Sequence, residues 1–368
     1  MTLRFLTSGE SHGEALLAIV EGLPSGFFID REKIQTELSL RQKGYGRSGR
    51  MKIETDTIQI LSGIRNGKTI GSPIALMIKN KDFTIHTSAA RLETPRPGHA
   101  DLVGTLKFQH DDIRDTLERA SARETAIRTA VGAVCQQFLT NFNISFSALV
   151  IQIGRVRSKN KMTEYIKACQ KKGESVGGIF EIRAQGIPLG LGNYSQWDLR
   201  LDGRLAQAVM SIPAIKGVEI GDGFKTAMLT GSQSHDEIFY NGKNKKSFGF
   251  YRKTNRHGGI EGGVTTGEEL IIRAAMKPLP TLPKNPLRTV NMFTMENARA
   301  FSQRTDSCAV APAAVIARNV VAIEIAKAFL EKFGGDSFRE VKNNFKNYLK
   351  LNLPGVEKDE KNFHKHPP

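Results

Sequence analysis

Three short segments concentrate residues able to move protons or hold anions. Ser11 and His12 lie between glycines in Gly9-Glu-Ser-His-Gly13. His99 ends the run Thr94-Pro-Arg-Pro-Gly-His99, where prolines and a glycine hold it on a rigid turn beside Arg96. Asp101 is the expected cap of the helix that follows. A lone histidine is more often structural, but one fixed next to an arginine is a candidate proton donor. Gln303-Arg-Thr-Asp306 precedes a long apolar stretch, so Asp306 or Ser307 could cap a helix there and Arg304 would reach inward. A buried guanidinium is costly when unpaired, and a ligand phosphate or carboxylate is its natural partner.

The segment Glu118-Arg-Ala-Ser-Ala-Arg-Glu124 adds an anion site. Ser121 and Glu124 have the spacing of a capping box at the start of a helix over 122–142, whose core face is Ile127, Ala130, Val131, Val134 and Phe138. The unpaired N–H groups of its first turn, flanked by Arg119, Arg123 and Arg128, would attract an anion above Ser121. The bland alternative is a capped helix with solvated arginines. Gly258-Gly-Ile-Glu-Gly-Gly263 would let backbone approach a flat ligand, and Lys277-Pro-Leu-Pro-Thr281 is a stiff segment presenting a lysine and a hydroxyl.

Other motifs fail on context. Gly9–Gly13 matches G-x-S-x-G, but a hydrolase nucleophile elbow needs several strands before it. Gly44-Tyr-Gly-Arg-Ser-Gly49 matches G-x-G-x-x-G, yet a helix precedes it and a strand follows, the reverse of a dinucleotide fold. What remains is a glycine loop carrying Arg41, Arg47 and Arg50. Gly63-Ile-Arg-Asn-Gly-Lys-Thr69 lacks the first glycine of a P-loop, because Ser62 stands there, and reads as a hairpin turn.

Elements that could position these groups are legible from periodicity. Strands are expected at 15–20, 52–61, 74–78, 144–156, 179–184, 269–276 and 287–294, and helices at 30–40 (N-cap Asp30), 122–142, 198–210 and 309–332. The last is apolar on most faces and should be buried, with Pro312 in its first turn and Gly334-Gly335 as its stop. Residues 80–101 and 221–263 read as long loops. One pattern occurs twice: a strand, then Gly22-Leu-Pro-Ser-Gly26 or Gly186-Ile-Pro-Leu-Gly190, then a helix. This is either coincidence or an internal duplication of two α/β halves.

The 368 residues carry a net charge of +16, with 39% hydrophobic residues, 7% aromatic and a single Trp. That composition supports a sizeable core, with residues 1–350 read as one domain and 351–368 as a disordered basic tail. No apolar run reaches the ~20 residues of a membrane span. The first ten residues show no secretory pattern. Cys135, Cys169 and Cys308 form no C-x-x-C pair, which suggests a reducing cytoplasm and no metal site. The arginines recur on glycine loops and at helix starts rather than along a stripe with interleaved aromatics. This favours small polyanions over the rival reading, a nucleic-acid binder. A sugar-phosphate phosphatase is a second rival.

Taken together, these segments resemble the chorismate synthase family over about residues 1–345. The matching pieces include Gly9–Gly13, Gly22–Gly26, Gly44-Tyr-Gly-Arg-Ser-Gly-Arg-Met51, Arg96-Pro-Gly-His-Ala-Asp101, Arg119-Ala-Ser-Ala-Arg-Glu124, Gly258–Gly263, Lys277-Pro278 and Arg304-Thr-Asp306. The resemblance implies an α/β sandwich around buried helices, with an internal pseudo-two-fold repeat and a homotetramer. It implies a lyase of the shikimate pathway, which leads to the aromatic amino acids. The lyase removes phosphate from 5-enolpyruvylshikimate 3-phosphate by 1,4-anti elimination to give chorismate, and it uses reduced FMN. By the same resemblance His12, His99 and Asp306 are catalytic. Ser11, Arg47, Arg128 and Arg304 hold substrate. Flavin is held by Arg119, Ala120, Ser121, Pro213, Ala214, Gly262, Lys277, Pro278, Leu279, Pro280, Thr281 and Arg304. Arg41 and Arg47 are assigned to NADPH in some family descriptions. Pro213 stands where relatives often carry Asn and has no N–H to offer, so contact there would use its carbonyl or Ala214. No NAD(P)H domain is recognisable, which points to a separate flavin reductase as partner. The lysine-rich 241–246 loop falls outside the pattern.

Overall fold

The computed structural model describes residues 2–47, 55–81, 83, 91–302 and 305–350. Two four-stranded antiparallel sheets enclose a layer of helices. The first sheet contains β1 (Arg4–Ser8), β2 (Ala15–Glu21), β3 (Ile58–Ile60) and β4 (Ile74–Lys79), in the order β1-β2-β4-β3. The second contains β5 (Ser145–Ile153), β6 (Gly178–Gln185), β7 (Ile215–Ile220) and β8 (Leu270–Met276), in the matching order β5-β6-β8-β7. Strand alternation points Leu16, Ala18, Val20, Ile74, Leu76 and Ile78 of the first sheet inward, and Phe180, Ile182, Leu270, Ile272 and Ala274 of the second.

The helix layer is built from α1 (Arg31–Gln42), α4 (Thr125–Thr140), α6 (Leu201–Met210) and α7 (Val310–Phe333). Asp30 caps α1 by accepting from the Glu32 amide, and Ile34 and Leu38 turn inward, as expected. Helix α7 is buried on nearly every side and stops at Gly334. It packs on α4, α6 and the second sheet, while α4 packs on the first sheet. Smaller helices lie outside this frame: α2 (Asp101–Phe108) and α3 (Ile113–Ala120) before α4, α5 (Lys159–Lys172) between β5 and β6, and α8 (Phe338–Tyr348) at the end.

The repeated Gly-x-Pro-x-Gly pattern marks a structural repeat. Each half runs strand, strand, helix, strand, strand, helix, with α2 and α3 inserted in the first and α5 in the second. The match reaches single atoms. In the first half Thr69 Oγ1 donates to the Pro24 carbonyl at 2.6 Å and accepts from the Phe27 amide at 2.9 Å. In the second half Thr265 Oγ1 donates to the Pro188 carbonyl at 2.6 Å and accepts from the Leu191 amide at 2.9 Å. Coincidence does not reproduce a threonine, a proline carbonyl and an amide in the same relation, so duplication is the reading the structure supports.

Several sequence expectations shift. The strand expected at 52–61 is Ile58–Ile60 within the described residues, since 52–54 lie outside them. The strand expected at 287–294 is only Arg288–Val290, paired with Asn297–Arg299. The loop at 221–263 carries a hairpin, Ile238–Tyr240 with Phe250–Arg252. Its lysine-rich tip has a structural use. Lys246 Nζ donates to the carbonyls of Phe142 and Asn143, at the end of α4, and of Gly186. The tail 351–368 lies outside the described residues.

Helices α4 and α7 touch backbone to backbone at Gly132. A Cβ there would sit 2.5 Å from both the Cβ and the carbonyl oxygen of Asn319. Asn319 is fully buried and tied down, accepting from Gln136 at 2.7 Å and donating to Glu37 at 2.8 Å. An alanine would gain about 1 kcal/mol of helix propensity over glycine. Overpacking against a rigid neighbour typically costs ~1–3 kcal/mol, and here the obstacle is main chain. Gly132→Ala should therefore lower the melting temperature followed by circular dichroism. A variant melting at or above the parent would show that the helices separate at little cost.

Candidate active site

Where α4 and α7 begin, loops of both halves surround a pocket of about 560 Å³. The first half supplies Ser11 and His12 from the β1–β2 connection, Arg41 from the end of α1, Arg47 from the glycine loop, Arg96 and His99 ahead of α2, and Ala120, Ser121 and Arg123. The second supplies Ile212, Pro213 and Ala214 between α6 and β7, Lys277, Leu279, Pro280 and Thr281 after β8, and Asp306 before α7. Among the described residues five lining side chains are arginine or lysine (Arg41, Arg47, Arg96, Arg123 and Lys277) against one carboxylate, Asp306. Apolar side chains of α7, Pro312, Ala313 and Ile316, with Leu117 and Met276, complete the wall. A cationic pocket with an apolar side suits a ligand that combines anionic groups with a flat body.

His12 is held by α3. The Glu118 carboxylate accepts the His12 amide at 2.7 Å through Oε2 and lies 2.7 Å from His12 Nδ1 through Oε1. The Ser11 amide donates to the Glu118 carbonyl at 3.0 Å. Asn80 closes the loop from the other side, donating to the carbonyls of Gly13 and Glu10 at 2.7 and 3.1 Å while accepting from Arg123 Nε at 2.9 Å.

His99 has the same kind of support. Asp101 Oδ1 lies 2.5 Å from His99 Nδ1, and Arg96 donates to Asp101 through Nε at 2.8 Å and Nη2 at 3.0 Å. Arg96 Nη1 reaches Thr281 Oγ1 at 3.2 Å, its guanidinium lies over the Phe301 ring, and Lys277 Nζ donates to the Gly98 carbonyl. The expected helix cap is therefore wrong: α2 has no side-chain cap, and Asp101 serves His99 and Arg96 instead. Burial alone would raise the Asp101 carboxyl, but the hydrogen bonds from His99 and Arg96 outweigh it and hold it well below the usual carboxylate range. Burial, with Lys216 nearby, lowers the Lys277 ammonium from its ordinary value.

Two arginines form the floor around Asp56. Arg41 donates to Asp56 at 3.3 Å, to Thr125 Oγ1 and to the Ala122 carbonyl, and Arg123 Nη1 lies 2.5 Å from Asp56. All three residues are buried. Burial pulls the Arg41 guanidinium down to about 10, despite the opposing pull of Asp56. Arg47 is likewise lowered by burial, and it meets Asp306 at 2.7 Å. That pair replaces the expected cap of α7, whose N-cap is Ala309 with no side-chain bond.

The Ser121–Glu124 capping box is absent. Residues 122–124 form a 3-10 turn in which Ser121 Oγ accepts from the Arg123 amide, and Glu124 turns to Thr7 and Arg128. The S-x-x-E pattern that does close a box is Ser337–Glu340, which starts α8. Of the expected site residues, Ser11, His12, Arg41, Arg47, His99, Ala120, Ser121, Pro213, Ala214, Lys277, Leu279, Pro280, Thr281 and Asp306 line the pocket. Pro278 sits between two lining residues without lining it itself. Arg119 points away, to the carbonyls of Gly9 and Thr7, and Arg128 pairs with Glu124 at 2.7 Å and Ser211 at 2.8 Å. Gly262 occupies an open hairpin turn and does not line the pocket, and Gly258 packs against the backbone of Gly221. Arg304 lies outside the described residues. Sequence reading missed Glu118, Asn80 and Asp56. Glu118 stood inside a quoted motif, but nothing local says that it faces a loop 106 residues earlier.

A family model described as chorismate synthase matches residues 3–330. The chain belongs to the chorismate synthase family. It is 48% identical to the chorismate synthase of Geobacter metallireducens and 50% identical to that of Geobacter sulfurreducens, each alignment covering 94% of this chain and 98% of the relative. The enzyme of Caldanaerobacter subterraneus is 52% identical over the same shares. A solved structure titled "Crystal Structure of Chorismate Synthase" superposes with a TM-score of 0.78 at 41% identity, covering 95% of this chain and 98% of the other. Members of the chorismate synthase family are lyases, and the α/β architecture agrees with that structure. Among the described residues no helix is long and apolar enough to cross a membrane, and no group of three or more His, Cys, Asp or Glu could hold a metal ion.

Asp101 gives a pH-dependent prediction. Its carboxyl is lowered in the folded state, so its stabilisation is fully present above the unfolded value near 3.9 and is lost progressively as pH falls from there toward the lowered folded-state value. Asp101→Asn leaves Arg96 buried without its counter-charge, which should cost roughly 3–5 kcal/mol near neutral pH. Urea denaturation at several pH values should show the gap between parent and variant closing as pH drops below about 4. A gap independent of pH would mean that the Asp101 charge contributes nothing.

Proposed function

We infer that this pocket converts 5-enolpyruvylshikimate 3-phosphate to chorismate by 1,4-anti elimination of phosphate, assisted by reduced FMN. The observation that carries the reading is the arrangement of five basic side chains and two carboxylate-held histidines around one pocket. The substrate brings a phosphate and two carboxylates, and FMN a further phosphate. A surplus of buried guanidinium groups is the physical counterpart of such a load.

The residues present fit a flavin. Pro312, Ala313, Ile316 and Leu117 offer an apolar face for a flat ring, while Ser121, Lys277 and Thr281 stand where its polar groups could be held, together with Ala120, Pro213 and Ala214. When bound, the reduced flavin supplies transient electron density to the substrate and leaves no net oxidation. In this reading Arg47 and Ser11 orient substrate anions. His12 gives a proton to the phosphate as the C–O bond breaks with its electron pair. His99 would hold a proton on the flavin side of the pocket, and Asp306 would take up the proton that the substrate loses from C6, the electron pair of that C–H bond going into the new double bond. Arg41 donates into the protein floor rather than to solvent, which fits a wall of the small-molecule site better than a dinucleotide site. Reduced flavin would come from a separate reductase. The homotetramer implied by the family is supported by the exposed apolar face of the first sheet, with Leu6, Leu17 and Ile19.

The test is an anaerobic assay with photoreduced FMN and substrate, following chorismate absorbance. His12→Ala and His99→Ala should each lower turnover by roughly 10²–10⁴-fold with folding unchanged. A loss below about fivefold in either would remove that residue from the chemistry, and absence of chorismate in the parent would end the reading.

A further inference from the structure

The Ser11–His12 loop is gripped at three points by one residue of α3. Glu118 offers its carbonyl to the Ser11 amide, one carboxylate oxygen to the His12 amide, and the other to His12 Nδ1. Both side chains are largely shielded, at 19% exposure for His12 and 15% for Glu118. An ionised carboxylate can only accept, so Nδ1 must be the nitrogen that carries a proton. His12 also lines the pocket, and His99 is matched to Asp101 in the same way.

We propose that Glu118 is the positioning residue of His12, fixing its ring so that Nδ1–H stays on the carboxylate and Nε2 exchanges protons in the pocket. The proposal rests on the reading of His12 as the proton donor. The proton that leaves goes from Nε2 to a phosphate oxygen and turns the imidazolium into neutral imidazole, which regains a proton from solvent. The Nδ1 proton is not transferred. Glu118 thus acts on the reaction through His12, as an orienting carboxylate does in a catalytic triad.

Other charges surround the ring. Glu10 shares its loop, Arg119 of α3 reaches that loop at Gly9, and Arg123 stands behind Asn80. Arg41, Arg47, Arg96, Lys277, His99 and Asp306 border the same pocket. Against that mainly positive field Glu118 is, among the described residues, a carboxylate in contact with the ring. An amide in its place removes charge that favours the protonated imidazole.

The experiment compares parent, Glu118→Gln, Glu118→Asp, His12→Ala and the double variant His12→Ala/Glu118→Gln, each with photoreduced FMN and 5-enolpyruvylshikimate 3-phosphate. Glu118→Gln should lower kcat about 10²-fold, within the range of a lost proton donor, with KM changed far less. The alkaline limb of its pH–rate profile should move to lower pH, and Glu118→Asp should recover part of the rate. In the His12→Ala background the same substitution should cost nothing further, because residues acting as a unit are not additive. Full additivity, or an unchanged pH profile in Glu118→Gln, overturns the proposal. Nitrogen-15 spectra of labelled histidine in the parent, with the His12 signals identified by their loss in His12→Ala, test it without altering Glu118. They should show neutral His12 protonated at Nδ1, and protonation at Nε2 overturns the proposal even if the Glu118 variants fail to fold. Chorismate formation by the parent separates the two failures. An inactive parent sinks the functional reading, while an active parent with a normal Glu118→Gln sinks only this inference.

Discussion

The contact of α4 with α7 is the constraint on which the rest of the molecule depends. A glycine at 132 lets the two longest helices of the helix layer meet at main-chain distance, and buried Asn319 locks the contact with hydrogen bonds to both neighbours. Each helix carries one sheet on its far side, so their separation sets the thickness of the whole sandwich. Their first turns also come together, and the pocket opens there. Widening the crossing would shift the first turns of both helices, and with them Ser121, Thr125, Asp306 and Ala309, which line the pocket.

The pocket is charged in two tiers. Guanidinium and imidazole groups line it, and their carboxylates lie behind them: Asp56 under Arg41 and Arg123, Asp101 under Arg96 and His99, Glu118 under His12. Removing charges from water is costly unless each is paired and hydrogen-bonded. The rear carboxylates meet that need without occupying the cavity and hold the basic groups in place before any anion arrives. Asp306 is the exception. It stands in the lining, bound to Arg47, so an anion drawn to Arg47 enters beside a carboxylate already there.

How much of this could be read from the chain depends on distance along it. The central helices, strands β2, β4 and β8, and the repeated Gly-x-Pro-x-Gly turn all carry local signals, and they appear where expected. So do most of the expected pocket residues, because their types and short spacings are themselves chemical. Helix α5 escaped because only Met162 and Ile166 are buried and most of its other positions are polar or charged. Helix α8 carried a legible signal in Ser337 and Glu340 that went unread. Asp101, Glu124 and Asp306 were assigned to local capping, yet each is claimed by another side chain. For Glu124 and Asp306 the claimants, Thr7 and Arg47, are over a hundred residues away in sequence. Capping is the default for an acidic residue before a helix, and only tertiary structure shows when a guanidinium or imidazole outbids it. Arg119 and Arg128 illustrate the converse: residues beside a helix start that lines the pocket can point to the other side of it.

The duplicated halves have a consequence for how the chain reaches this state. Each sheet pairs strands of its own half, and in the first the β1–β2 hairpin closes quickly because little chain lies between its strands. The meeting of α4 with α7 joins Gly132 to Asn319, across about half the sequence, and comes with a far larger loop to close. The halves can therefore gain order separately, while the pocket has no precursor in either of them, since each supplies only part of its wall. Competence to bind anions appears at the last assembly step, and the rate at which a refolding population acquires a ligand measures the docking of the halves rather than the formation of their strands.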